Sequence, residues 1–176
     1  MNHVALFRNL NLGHPGSPTM DELVDAFGGP ARARGFQSNG TVLFRSDDPD
    51  ADAGRALDTL RRSGHRHHVV VRMLADVEEA VRQAPAADPS EDVYRTMLSF
   101  YDVDDVPTVT LPLRSPDRLV EVRHIAPGSA ASACWKPRNQ AGDVTGFLEA
   151  LLDVPVTTRT LSTCQRLVDA ARRTRA

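Results

Sequence analysis

Apolar and polar positions along the chain form short runs whose period switches between two and about 3.6, a pattern that predicts strands and helices in alternation. Val4-Ala5-Leu6-Phe7 is a continuous apolar run and predicts a short buried strand. Thr19 with Glu22 three residues later makes a capping box ahead of Met20, Leu23, Val24 and Phe27 at helical spacing, and Gly28-Gly29 ends that helix. A second strand is expected at 33–37, and Asn39-Gly40 turns the chain into a third at 41–45. The acidic stretch 47–50 caps a helix carrying Ala53, Ala56, Leu57 and Leu60, Gly64 stops it, and Val69-Val70-Val71 supplies a fourth strand. The first 73 residues therefore read β-α-β-β-α-β, the order of a ferredoxin-like half.

A connecting helix with Val77, Ala80, Val81 and Ala84 on one stripe follows, and the prolines at 85 and 89 mark the best boundary. Beyond it come a strand at 93–100, a strand pair at 118–124 and 129–135 around Pro127-Gly128, a helix with Val144, Phe147, Leu148 and Leu151, and a strand at 156–160. Leu161, Cys164, Leu167, Val168 and Ala171 stripe a final helix. The segment 103–116 has three prolines among alternating apolar residues, so an edge strand or extended loop is expected where a repeat of the first half would carry a helix. The chain is thus expected to be α+β, with two ferredoxin-like halves, the second degraded and ending in a C-terminal helix. The expected divisions are residues 1–73, a helix and linker at 74–90, and 91–176.

Composition narrows the class without naming a reaction. With 176 residues, 41% hydrophobic and 25% charged, the chain has enough apolar material for a globular core and no apolar run long enough to span a membrane. Cys134 and Cys164 cannot form a disulfide framework and show no metal-type spacing, so they read as small buried hydrophobes in a cytoplasmic protein. The net charge of −2 is uneven: +1 over 1–72, −6 over 73–160 and +3 over 161–176. A pI near 6.3 and an acidic second half disfavour nucleic acid as a partner.

Three polar clusters are candidates for chemistry. Arg8-Asn9-Leu10-Asn11 leaves the first strand, where a guanidinium could clamp an anion and amides orient it; ordinary turn hydrogen bonding is the competing account. Gln37-Ser38-Asn39-Gly40 is first of all a turn, and Ser38 lacks a nucleophile-elbow context. Thr157-Thr158-Arg159-Thr160 ends a strand with hydroxyls and one guanidinium, fit for a phosphate or carboxylate if it faces a cleft, and otherwise a solvated edge. His65, His67 and His68 have metal-like density but no carboxylate or thiolate set beside them, so no metal is expected, and the phosphate-loop and dinucleotide glycine motifs do not occur. No cofactor is expected.

The segments V-A-L-F-R-N-L-N-L-G from Val4, F-Q-S-N-G-T-V-L-F from Phe36 and V-P-V-T-T-R from Val154 fall in an order that resembles the bacterial domain-of-unknown-function 1697 family, whose members read A-L-L-R-G-I-N-V-G, Y-I-Q-S-G-N-V-V-F and L-G-V-P-A-T-T-R-N-W-N-T there. The resemblance implies two similar α+β halves and lends no activity. It carries Arg8, Asn11, Gln37, Ser38, Thr157, Thr158 and Arg159 as matching polar positions, and marks four departures: Asn9 for Gly, Ser38-Asn39-Gly40 for S-G-N, Thr160-Leu161-Ser162 for N-W-N, and Gly142-Asp143-Val144-Thr145 without the Ser-Lys that precedes the helix there.

The expectation is a non-catalytic or regulatory protein that holds a small anionic ligand between its halves through Arg8, Asn11, Gln37, Ser38, Thr158 and Arg159. A hydrolase or transferase using Ser38 or a Thr hydroxyl is the alternative from enzymology. A protein that pairs with its own copy, as a homodimer, through the edge at 103–116 is the structural alternative.

Overall fold

The computed structural model describes residues 1–86 and 91–173, which fall into two compact units. The first unit is Met1–Val77 with the chain from Leu167 onward, and the second is Glu78–Arg166. The boundary expected between Pro85 and Pro89 lies in part outside the described residues.

In the first unit β1 (His3–Phe7), α1 (Met20–Ala26), β2 (Ala33–Phe36), β3 (Thr41–Phe44), α2 (Pro49–Arg62) and β4 (Val69–Met73) follow one another in the expected β-α-β-β-α-β order. The strands form an antiparallel sheet in the order β2-β3-β1-β4. Alternation along each strand sends Ala5, Phe7, Val42, Phe44, Ala33 and Val69 to one face, where Leu23 and Phe27 of the α1 segment and Ala53, Ala56 and Leu60 of α2 pack on them. Phe27 binds this layer, its ring centre 4.9 Å from Phe44 and 6.2 Å from Phe7, the latter edge-on. Val4 and Leu6, which point the other way, are just as buried, so both faces of the sheet are covered. The capping box is realised: the Glu22 amide donates to Thr19 Oγ1 at 3.2 Å and the Thr19 amide to the Glu22 carboxylate at 2.7 Å.

In α3 (Leu74–Gln83), which starts where β4 ends, Leu74, Val77 and Ala80 are buried. The second unit then carries β5 (Arg95–Phe100), β6 (Leu113–Arg114), β7 (Val120–Ala126), β8 (Ser129–Cys134), a short turn of 3-10 helix at Pro137–Asn139, α4 (Val144–Leu152) and β9 (Thr157–Thr160), and α5 (Leu161–Arg173) leads out of it. Its five-stranded sheet has the order β6-β7-β8-β5-β9. Val144, Leu148 and Leu152 of α4 pack on Tyr101, Val120, Val122, Ala130 and Cys134. Tyr101 is fully buried, and its hydroxyl sits 2.8 Å from the Ala126 carbonyl and 2.7 Å from the Ser129 carbonyl, riveting the β7–β8 turn.

The two units are therefore not copies in their element order. Between β5 and β7 the second has only the two-residue edge strand β6, because the prolines in 103–116 remove ladder donors and disallow a helix interior. The final helix also divides differently from the sequence boundary at 91–176: its stripe of Leu167, Val168 and Ala171 is buried and counts with the first unit.

Candidate functional site

At the end of β9 the chain turns directly into α5 without a connecting loop. Thr160 makes this possible by serving as N-cap: its Oγ1 accepts from the Thr163 amide at 3.2 Å and donates to Thr163 Oγ1 at 2.9 Å, and it lies 3.1 Å from Ser162 Oγ. The β5–β9 ladder pairs Thr160 with Met97, which brings the start of β5 alongside. A cavity of about 500 Å³ opens there, with Tyr94, Arg95, Thr160, Ser162, Thr163 and Arg166 in its walls and no carboxylate among its lining residues. That volume is in the range of small-molecule sites.

The cavity is electropositive by construction. Arg95 lies over the Tyr94 ring at 4.6 Å, and Lys136 Nζ approaches the same ring at 5.0 Å. Neither Arg95 nor Arg166 forms an ion pair among the described residues; Arg166 makes one long contact, 3.4 Å, to the Ser162 carbonyl. Helix-terminal amides and the partial positive end of α5 add to the field of the two guanidiniums. Chemically, this wall of donors suits an oxyanion.

The six residues singled out from the sequence divide between the units. Arg8, Asn11, Gln37 and Ser38 converge at one end of the first sheet: the Leu12 amide donates to the Ser38 carbonyl at 2.8 Å, the Phe7 amide to the Gly40 carbonyl at 2.8 Å, and the Arg8 amide to the His68 carbonyl at 2.9 Å. Asn11, Gln37 and Ser38 are exposed and Arg8 is half-buried. Ser38 Oγ makes no hydrogen bond among the described residues, so no base is paired with it. Thr158 is occupied internally, its hydroxyl 2.9 Å from both Ser99 Oγ and Thr145 Oγ1.

Arg159 turns away from the cavity. Alternation places it on the face opposite Thr160, where it is 9% exposed and donates to Thr157 Oγ1 at 2.9 Å and the Thr158 carbonyl at 3.0 Å. Burial pulls its guanidinium down to about 10, and burial likewise pushes the nearby Cys164 thiol up to about 12. Sequence reading missed Arg95 and Arg166, which no local pattern marks; the period of two in Thr157–Thr160 does assign Thr160 and Arg159 to opposite faces. Among the described residues no group of three or more His, Cys, Asp or Glu could hold a metal ion, and no helix is long and apolar enough to cross a membrane.

A family model described as a protein of unknown function, DUF1697, matches residues 1–129. The chain belongs to that family. No curated protein matches it. The fold of this DUF1697 chain is similar to that of the conserved bacterial protein SP0830 from Streptococcus pneumoniae, with a TM-score of 0.59 and 18% identity over 96% of this chain and 97% of that one. Two of the departures noted in the sequence have local physical accounts. Asn9 has φ 54°, a left-handed conformation that Asn tolerates better than other side chains. Thr160 supplies a capping side chain at the start of α5.

Proposed function

We propose that this DUF1697 protein is a non-catalytic binding protein for a small oxyanion, a phosphoryl or carboxylate group held in the cavity at the start of α5. The observation that carries the reading is the pair Arg95 and Arg166, free of ion pairs among the described residues and facing a cavity with no acid in its wall. The strand order β2-β3-β1-β4 supports reading the first half as ferredoxin-like; nothing comparable supports it for the second.

Thermal shift with inorganic phosphate, pyrophosphate and citrate tests the assignment. A ligand at 100 times its Kd stabilises the native state by about 2.7 kcal/mol, which for a chain of this size raises Tm by roughly 5–11 °C. Arg95→Ala and Arg166→Ala should each abolish the shift while Arg8→Ala keeps it. The opposite pattern would move the site to the Arg8, Asn11, Gln37 and Ser38 cluster, a second reading favoured by the Leu12–Ser38 hydrogen bond that draws those loops together. Silence of all variants and ligands would remove the anion reading.

A further inference from the structure

The cavity is one end of a longer feature. Four strand ends lie side by side at this edge of the second sheet: the end of β9, the start of β5, the end of β8 and the start of β7, as the pairs Met97–Thr160, Arg95–Cys134 and Val120–Cys134 fix. Each carries or abuts a cation or an aromatic ring. Arg166 stands on α5, Tyr94 and Arg95 enter β5, Trp135 and Lys136 leave β8, and Arg118 precedes β7. A second hollow of about 280 Å³ lies between the last of these, walled by Trp135, Lys136, Arg118 and Asp92. Tyr94 joins the two hollows, because it lines the first, contacts Lys136 of the second, and its amide donates to the Cys134 carbonyl at 2.9 Å, next to Trp135.

The resulting strip has four cations, two aromatic rings and a single acid, Asp92, although the chain as a whole is slightly acidic. The acids beside the strip are engaged within the chain: Glu121 is buried and held by Arg114 and Arg123, Glu91 pairs with Arg123, and the Asp117 carboxylate accepts from Ser115 Oγ and the Leu119 amide. Interleaved cations and accessible rings are what a single strand of nucleic acid requires, phosphates on the cations and bases against the rings; Tyr94 is exposed, and Trp135 is half-buried with the Arg123 guanidinium 5.8 Å from its ring centre. A carboxylate metabolite would use the cations and leave Tyr94, 41% exposed, and the Trp135 hollow without a role. Three inter-strand spacings of about 4.8 Å give the strip a length of roughly 14 Å. At about 3.4 Å per stacked base, this accommodates around four nucleotides.

We propose that the strip from Arg166 to Arg118 binds a short single-stranded nucleic acid, with a phosphate in the large cavity and a base in the Trp135 hollow. The proposal rests on the oxyanion reading of that cavity and extends it to a substrate class. Trp135 is the only tryptophan of the chain, so its fluorescence reports stacking directly.

The experiment titrates the full chain with a labelled dT12 oligonucleotide at 50 mM salt, following anisotropy and Trp135 emission together. Binding with quenched Trp135 emission is expected, and log K should fall against log salt with a slope of about −2.8 for four phosphate contacts on a single strand. Lys136→Gln should flatten that slope by about 0.7. Tyr94→Leu should weaken binding about 5- to 160-fold, the range for loss of one stacked base, with an unchanged circular dichroism spectrum. No binding, unaltered Trp135 emission, or equally tight binding of heparin or poly-glutamate, which lack bases, would each overturn the proposal. Inorganic pyrophosphate is the separating control: if it binds through Arg95 while dT12 does not, the nucleic-acid inference falls and the oxyanion reading stands, and if neither binds both fall.

Discussion

Replacement of Gly40 by Ala tests how tightly the turn after β2 is tied to the loop after β1. Gly40 has φ 64°, and a Cβ built there would come within 2.8 Å of Leu10 Cβ and 3.0 Å of Leu10 Cγ and Cδ2. The nearest of those atoms is fixed to the backbone, and Leu10 is only 2% exposed, so rotation of its side chain does not relieve the clash. The left-handed backbone costs a residue with a Cβ about 1–2 kcal/mol, and forcing an extra methyl into a packed site costs about 1–3 kcal/mol. The variant should therefore lose about 2–5 kcal/mol, equivalent to a fall in Tm of roughly 4–20 °C for a chain of this length. Gly54→Ala is the internal control: it lies exposed within α2, has nothing within 4 Å of a new Cβ, and should gain about 0.5–1 kcal/mol from helix propensity. Thermal denaturation followed by circular dichroism at 222 nm reads both. A Gly40→Ala protein melting within 2 °C of the parent would refute the packing argument, and with it the close approach of the Gly40 turn to Leu10 at the end of the sheet where Arg8, Asn11, Gln37 and Ser38 converge.

Tyr101→Phe should cost about 1–2 kcal/mol in chemical denaturation, because the Ala126 and Ser129 carbonyls lose a buried donor while the ring packing is kept; an unchanged midpoint would count against the rivet. Glu121 resists burial, which alone would raise its carboxyl, but hydrogen bonds and charge from Arg114 and Arg123 outweigh it and hold the group below the ordinary 4.5. Its contribution is thus fully present above pH 4.5 and is lost as pH falls through the lower folded value, so Glu121→Gln should be destabilised by about 1–3 kcal/mol at pH 7 and the gap should narrow as pH falls below 4.5. A gap that stays constant or widens as pH falls would sink this assignment. Both cysteines should stay unmodified by a thiol-disulfide reagent at pH 8 in the native protein and react in denaturant, since burial raises both thiols and pushes Cys164 to about 12 from an ordinary 9, lowering its thiolate population about 1,000-fold; rapid native labelling of one equivalent would contradict the burial.

What the sequence made legible was local. The capping box at Thr19, the Asn39-Gly40 turn and the stripe Leu161, Cys164, Leu167, Val168 and Ala171 each state their structure within a few residues, and each element formed where expected. The site was less legible, because its parts are distant in the chain. Tyr94 and Arg95 meet Arg166 only through the pairing of β5 with β9, and Lys136 reaches Tyr94 only through β8. No window of sequence contains that pairing. Arg159 illustrates the same limit from the other side: its alternation with Thr160 is plain, but which of the two faces is buried depends on how β5 and α5 are placed. Thr158 had the composition of a ligand group and instead closes a hydroxyl chain between Ser99 and Thr145.

The division of α5 between the units bears on how the protein is made. Residues from Leu167 onward count with Met1–Val77, and the whole second unit, Glu78–Arg166, lies between them in the chain. At about 5–20 residues per second of translation, the first unit's β-α-β-β-α-β core waits some 4–18 s after Val77 is added before the ribosome adds Leu167. During that interval the first unit lacks Leu167, Val168 and Ala171, which are buried in the finished protein, and the second unit has time to fold. Nascent chains arrested before and after residue 167 would be distinguished by protease resistance of residues 1–77.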